Sequence, residues 1–206
     1  MVGSIVTVAQ LMDEIERDIP FFDQSRGGVT FTGGEPMFQR EFLLESLLAC
    51  KEQGIHTIVD TSGYTSWDGF EQIHSYVDIF LYDLKLMDES RHKQYTSVSN
   101  HMILDNLKKL SSAKASIIVR IPLIPGVNDD YENIHQSASF LADLPHLDGV
   151  ELIPYHEIGL AKYQALGMNN KLKEIKPVSR QHIEEVEQIL YKYHLPLYKD
   201  SIGRIL

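Results

Sequence analysis

With 206 residues, the chain is long enough for one domain with a full hydrophobic core or for two small domains. Its composition (43% hydrophobic, 23% charged) is that of an ordinary globular protein. Acidic residues outnumber basic ones by 29 to 19, for a formal net charge of −10. This charge disfavours nucleic-acid binding. The apolar runs are too short to cross a membrane and no leader sequence opens the chain, so we expect a cytoplasmic protein with no membrane partner.

The predicted elements alternate between helices and strands. Thr7 and Gln10 have the spacing of a capping box, and the apolar positions after them predict a helix that ends at Pro20. Runs of β-prone residues predict five strands, at 29–32, 57–61, 79–84, 116–121 and 150–153. Gly54 has the position of a residue that closes a helix, and Ser179 that of an N-cap. The further helices are predicted at 40–53, 67–76, 89–95, 101–111, 131–142 and 180–193.

This alternation predicts an α/β fold. Several strands are nearly unbroken apolar runs, which is typical of a parallel sheet covered on both faces. No Pro-, Ser- or Gly-rich linker interrupts the chain, so we predict one domain over residues 1–206. Five parallel strands suit either a partial (β/α) barrel or an open twisted sheet. In both architectures, ligands bind at the carboxyl ends of the strands.

Each predicted strand ends in, or leads into, a glycine pair or polar residues of the kind found in ligand sites. These residues are Gly33-Gly34-Glu35, Asp60-Thr61, Asp83 with Lys85, Arg120, and His156. Parallel strands would bring them to one rim. There, Arg or Lys would bind a carboxylate, and an acidic group would bind an amine or a hard cation.

Taken singly, these residues leave a structural interpretation open. Asp60 fits an Asx turn. Asp83 and Lys85 fit ion pairs with neighbours, Arg120 fits a brace for a helix, and His156 fits a hydrogen-bonded imidazole. Together, the five strand ends favour a ligand site.

Cys50 is the only cysteine. A single cysteine excludes an intrachain disulfide and an iron–sulfur cluster ligated by cysteines of this chain alone. Residues 42–50 have a helical pattern, so we predict that Cys50 is a buried packing residue.

Five segments match the motifs of one known family in order and spacing. They are VTFTGGEP at 29–36, DTSGY at 60–64, YDLKLMD at 82–88, VRIPLIPGVN at 119–128 and LIPYHEIG at 152–159. With these motifs the chain resembles the radical SAM enzymes that activate glycyl radical enzymes, and the pyruvate formate-lyase activating enzyme group in particular. The resemblance covers nearly the whole chain.

The resemblance implies a fold and an activity. In that family, a partial (β/α) barrel of six strands holds a [4Fe–4S] cluster and S-adenosylmethionine (SAM) at its strand-end opening. Reductive cleavage of SAM gives a 5′-deoxyadenosyl radical, which removes a hydrogen atom from a glycine of a partner enzyme. The implied partners are a glycyl radical enzyme like pyruvate formate-lyase and a flavodoxin- or ferredoxin-type electron donor.

The resemblance also implies roles for individual residues. Those that would line the SAM amino group are Gly33, Gly34 and Glu35. Those that would face its carboxylate and ribose are Lys85, Arg120 and His156. The residues that resemble the family's monovalent-cation site are Asp60, Thr61, Asp83 and the backbone of Leu81.

One departure from the family pattern concerns the cluster. The family carries a CxxxCxxC motif ahead of the helix that here begins near Thr7, and this sequence lacks it. We therefore expect an N-terminally truncated radical SAM core with five of six strands. The [4Fe–4S] cluster is expected in the full-length form only, and this chain alone is expected to be inactive.

Two alternatives stay open. Lys85, at a strand end of a barrel-like fold, could form a Schiff base in a class I aldolase or lyase. The chain could also be a non-catalytic remnant that keeps only the SAM pocket.

Overall fold

The computed structural model describes residues 4–155 and 177–198. Its helices are α1 (Val8–Arg17), α2 (Ile19–Ser25), α3 (Arg40–Glu52), α4 (Trp67–Ile73), α5 (Glu89–Thr96), α6 (His101–Ser112), α7 (Tyr131–Ala142) and α8 (Arg180–Lys192). Its strands are β1 (Gly28–Phe31), β2 (His56–Thr61), β3 (Ile79–Asp83), β4 (Ile117–Leu123) and β5 (Gly149–Pro154). Two short 3₁₀ helices lie at Pro36–Gln39 and His74–Tyr76.

The five strands form one parallel sheet in the order β1-β2-β3-β4-β5. Val29 pairs with Thr57 between β1 and β2, and Asp60 pairs with Leu81 between β2 and β3. Strand order therefore follows chain order, as helical crossovers between neighbouring strands dictate. The predicted α/β class with parallel strands is confirmed.

The described residues divide into two compact units. The first contains residues 4–82, 101–118 and 145–147, and the second contains 83–100, 119–144, 148–155 and 177–198. The single-domain interpretation stays a prediction.

An aromatic cluster forms the centre of the first unit. Phe70 of α4 packs edge-on against Phe80 of β3, with ring centroids 5.9 Å apart, and lies 6.2 Å from the ring of Tyr82. All three side chains are fully buried. Such aromatic pairs contribute about 1 kcal/mol beyond the burial of their area.

A smaller apolar cluster joins α1 to α3. Cys50 is 0% exposed and its Sγ lies 4.0 Å from the sulfur of Met12, with Ile15 and Ile55 beside them. Burial raises the pKa of the Cys50 thiol. The prediction that Cys50 is a packing residue is therefore confirmed.

The second unit contains α5, α7, α8, β5 and most of β4. The segment after α8 returns to β5, where Val150 and Leu197 form a parallel bridge. The Tyr198 amide donates to the Val150 carbonyl at 2.8 Å. Tyr131 of α7 donates to Glu185 of α8 at 2.6 Å, which joins the two helices at the surface.

Pro20 does not end the helical region as the sequence predicts. Helix α1 already ends at Arg17, with Asp18 as its C-cap, and Pro20 lies in the first turn of α2, a helix that the pattern did not reveal. Proline is tolerated there because a first-turn N–H has no helical partner to lose. The capping box of Thr7 and Gln10 and the Ser179 N-cap are confirmed.

None of the helices within 4–155 and 177–198 has the length and apolar character needed to cross a membrane.

Candidate functional site

The loop after β1 presents two exposed glycines. Gly33 has a φ of +135°, a backbone conformation that L side chains rarely adopt. A Cβ built on Gly33 or Gly34 would meet no atom within 4 Å. The Cβ positions of these two residues therefore face open space, and a ligand can approach the backbone there.

Glu35 connects this loop to the turn after β2. Its Oε1 accepts from the Thr61 hydroxyl at 2.7 Å and from the Met37 amide at 3.2 Å. Its Oε2 accepts from both the amide and the hydroxyl of Ser62, at 2.8 and 2.5 Å. One carboxylate thus joins two strand-end loops.

The turn after β2 rests on a buried tyrosine. A Cβ on Gly63, whose φ is +74°, would lie 1.9 Å from Tyr82 Oη. Tyr82 donates to the Ile103 carbonyl at 2.7 Å. Burial, and then the nearby carboxylates of Glu35 and Asp105, raise the pKa of Tyr82 well above its usual value, so the phenol keeps the proton that it donates.

Helix α6 holds the same turn through one buried amide. Asn106 Nδ2 donates to the carbonyl oxygens of Gly63 and Thr65, at 3.0 and 2.6 Å. The Thr61 hydroxyl also accepts from the Gly63 amide at 3.0 Å. The turn at 61–65 is therefore fixed from both sides.

The predicted cation ligands of the first unit are neighbours in the sheet. Asp60 and Leu81 are paired positions on β2 and β3. Thr32, at the end of β1, donates its hydroxyl to Asp60 Oδ2 at 3.0 Å. A carboxylate and a strand carbonyl at adjacent positions are hard oxygen donors.

The predicted residues of the second unit form ion pairs. Lys85 Nζ lies 3.1 Å from Asp83 Oδ2. Arg120 Nε lies 3.6 Å from a carboxylate oxygen of Glu151, a residue that is only 6% exposed. The Asp83–Lys85 pair fits the ion-pair interpretation that the sequence left open, whereas in the Arg120 pair the partner belongs to strand β5 and not to a helix. His156 lies outside the described residues.

A buried asparagine organises the loops after β3 and β4. Asn128 is 1% exposed. Its Nδ2 donates to the carbonyls of Lys85 and Pro122, at 3.0 and 2.5 Å, and its Oδ1 accepts from the Ile124 amide at 2.8 Å. Asn133, in the first turn of α7, donates to the Asn128 carbonyl at 2.9 Å.

Asn128→Ala is expected to destabilise the protein by about 3 kcal/mol, because it leaves three backbone groups without their side-chain partner. Urea unfolding measures the loss. Gln136→Ala, on the exposed face of α7, is the control and should change stability by less than about 0.5 kcal/mol. Equal effects of the two substitutions would contradict this role of Asn128.

Sequence reasoning did not identify the residues that hold the loops in place. These are Ser62, Tyr82, Asn106, Asn128, Asn133 and Glu151. The available signal was the position of Asn106 and Asn133 on the apolar faces of their helices, since a buried amide needs partners.

Comparison with known proteins identifies the family. Residues 2–138 match the Radical SAM superfamily. The chain belongs to the radical SAM superfamily.

The radical SAM relatives include activating enzymes. The chain is 36% identical over 188 residues to the pyruvate formate-lyase-activating enzyme of Clostridium pasteurianum, covering 91% of this chain and 79% of that one. It is 38% identical over 200 residues to the choline trimethylamine-lyase activating enzyme of Oleidesulfovibrio alaskensis, covering 96% of this chain and 64% of that one. The chain thus spans less than two thirds of the length of some curated relatives.

A solved radical SAM structure has the same fold. It is a domain of the pyruvate-formate lyase-activating enzyme from Bacteroides vulgatus, which is 36% identical, with a TM-score of 0.71. The similarity covers 84% of this chain and 98% of that domain. The predicted resemblance of this chain to the radical SAM enzymes that activate glycyl radical enzymes is confirmed.

Radical SAM proteins use SAM and a [4Fe–4S] cluster. The described residues do not fit the cluster: Cys50 is buried, and no group of three or more His, Cys, Asp or Glu side chains among them could hold a metal ion. The open backbone at Gly33 and Gly34 does fit SAM, whose ammonium can be bound by peptide carbonyls.

Proposed function

We propose that this chain is the SAM-binding core of a glycyl-radical-enzyme activase resembling the pyruvate formate-lyase activating enzyme. The observation that carries the proposal is the 36% identity over 98% of the domain from the Bacteroides vulgatus enzyme. The loops of the first unit support it, because the two exposed glycines precede a carboxylate that is itself held by the next loop.

Within the proposed site, Gly33, Gly34 and Glu35 line the amino group of SAM. The groups proposed for its carboxylate and ribose are Lys85, Arg120 and His156. The proposed ligands of a monovalent cation are Asp60, Thr61, Leu81 and Asp83. The pairing of Asp60 with Leu81 supports the last assignment.

The proposed partner is a glycyl radical enzyme, and the proposed electron donor is a flavodoxin or a ferredoxin. When bound, the cluster supplies the electron that cleaves SAM. Its cysteine ligands are not among these 206 residues, which contain only Cys50. We therefore propose that the cluster belongs to the full-length form, and that this chain binds SAM without cleaving it.

Gly33→Ala is expected to weaken SAM binding at least tenfold, since an L side chain at a φ of +135° changes the direction of the peptide groups of the loop. Isothermal titration calorimetry with SAM measures the affinity.

Gly54→Ala is the matched control. Gly54 also has a positive φ, +69°, and open space around its Cβ position. It precedes β2, whereas the proposed site follows that strand. The control should lose comparable stability, about 1 kcal/mol, and keep its SAM affinity. Equal SAM affinity in the two variants would argue against a ligand at Gly33.

A further inference from the structure

The role of Glu35 follows from the donors around its carboxylate. A carboxylate offers about four lone-pair positions. Here four donors occupy them: the Thr61 hydroxyl, the Met37 amide, and the amide and hydroxyl of Ser62. The carboxylate is therefore already fully hydrogen-bonded within the first unit.

The groups that donate to Glu35 are themselves fixed. The Thr61 hydroxyl donates to Glu35 and accepts from the Gly63 amide. Gly63 lies against Tyr82, and its carbonyl accepts from Asn106. The turn at 61–65 is thus anchored to β3 and α6. Glu35 is hydrogen-bonded to this turn and thereby holds the loop after β1 in a fixed position relative to it.

We infer that Glu35 lines the ammonium site as a positioning residue, and that its carboxylate does not itself bind SAM. Its carboxylate fixes the peptide groups of Gly33 and Gly34 against the turn after β2, and those peptide groups bind the ammonium of SAM. The inference rests on the proposed function for the identity of the ligand. The hydrogen-bond arrangement stands without it.

Glu35→Gln tests the inference. The substitution keeps the side-chain shape but replaces one acceptor oxygen by an NH₂ group, which must then face the amide of Met37 or that of Ser62. Glu45→Gln makes the same chemical change on the exposed face of α3 and is the control.

The first measurement needs no ligand. Hydrogen exchange of the Ser62 and Gly63 amides, followed by NMR, should become at least tenfold faster in Glu35→Gln and stay unchanged in Glu45→Gln. Unchanged exchange in Glu35→Gln would overturn the inference, whether or not the protein binds SAM. Failure of the wild-type protein to bind SAM would instead overturn the proposed function.

The second measurement separates positioning from direct contact. Ser62→Ala removes one donor to the carboxylate and leaves the carboxylate itself in place. If Glu35 positions the loop, Ser62→Ala weakens SAM binding several-fold, and its effect is not additive with that of Glu35→Gln. If Glu35 binds the ammonium directly, Ser62→Ala leaves SAM affinity unchanged or higher, which overturns the inference. This variant also keeps the test available if Glu35→Gln does not fold.

Discussion

Replacing Gly63 by alanine is expected to destabilise the protein by about 3 kcal/mol. An alanine at a φ of +74° costs about 1 kcal/mol by itself. Its Cβ would also lie 1.9 Å from Tyr82 Oη and 2.2 Å from Cζ. Tyr82 is fully buried and hydrogen-bonded to Ile103, so its ring cannot move aside without breaking that bond. Overpacking of this kind adds about 2 kcal/mol.

Gly54→Ala provides the comparison for Gly63→Ala. Both glycines have nearly the same φ, but a Cβ at Gly54 meets nothing within 4 Å. Urea unfolding measures the free energy of unfolding that each variant loses. The difference between the two values therefore gives the cost of the contact with Tyr82. Equal losses would show that Tyr82 does not constrain the turn.

The second large effect concerns the [4Fe–4S] cluster. Anaerobic reconstitution of the 206-residue chain with iron and sulfide is expected to give a colourless protein. Its only cysteine, Cys50, is buried among apolar side chains beside Met12, and burial favours the thiol over the thiolate that iron requires. A fusion that places a CxxxCxxC segment ahead of α1 should become brown and bind about four iron atoms per chain.

Two controls accompany the fusion. Replacing the three introduced cysteines by serine should abolish the colour, whereas Cys50→Ala in the same fusion should leave it unchanged. A stoichiometric [4Fe–4S] cluster in the unfused chain, or a colourless fusion, would contradict the proposal that cysteines ahead of α1 bind the cluster.

The sequence predicts the fold well because each element carries a local signal. Apolar runs predict all five strands, and Thr7 with Gln10 and Ser179 predict two helix starts that the structure confirms. Helix α2 was missed because Pro20 is as compatible with a helix start as with a helix end.

The candidate site was less predictable from the sequence. Strand ends predict Glu35 as a site residue, but nothing local shows that Ser62 supplies two of its hydrogen-bond donors. Likewise, the support of Gly63 by Tyr82 depends on residues brought together by tertiary packing. Such contacts join residues that are far apart in the sequence, and local patterns do not specify which distant side chains will meet.

The most direct test is an NMR titration of the isotopically labelled chain with SAM. The account predicts saturable shifts of the Gly33 and Gly34 amide resonances, while that of Gly54, a glycine with positive φ that precedes β2, stays in place. A spectrum unchanged at saturating SAM, or shifts that spare Gly33 and Gly34, would contradict a SAM site at this loop.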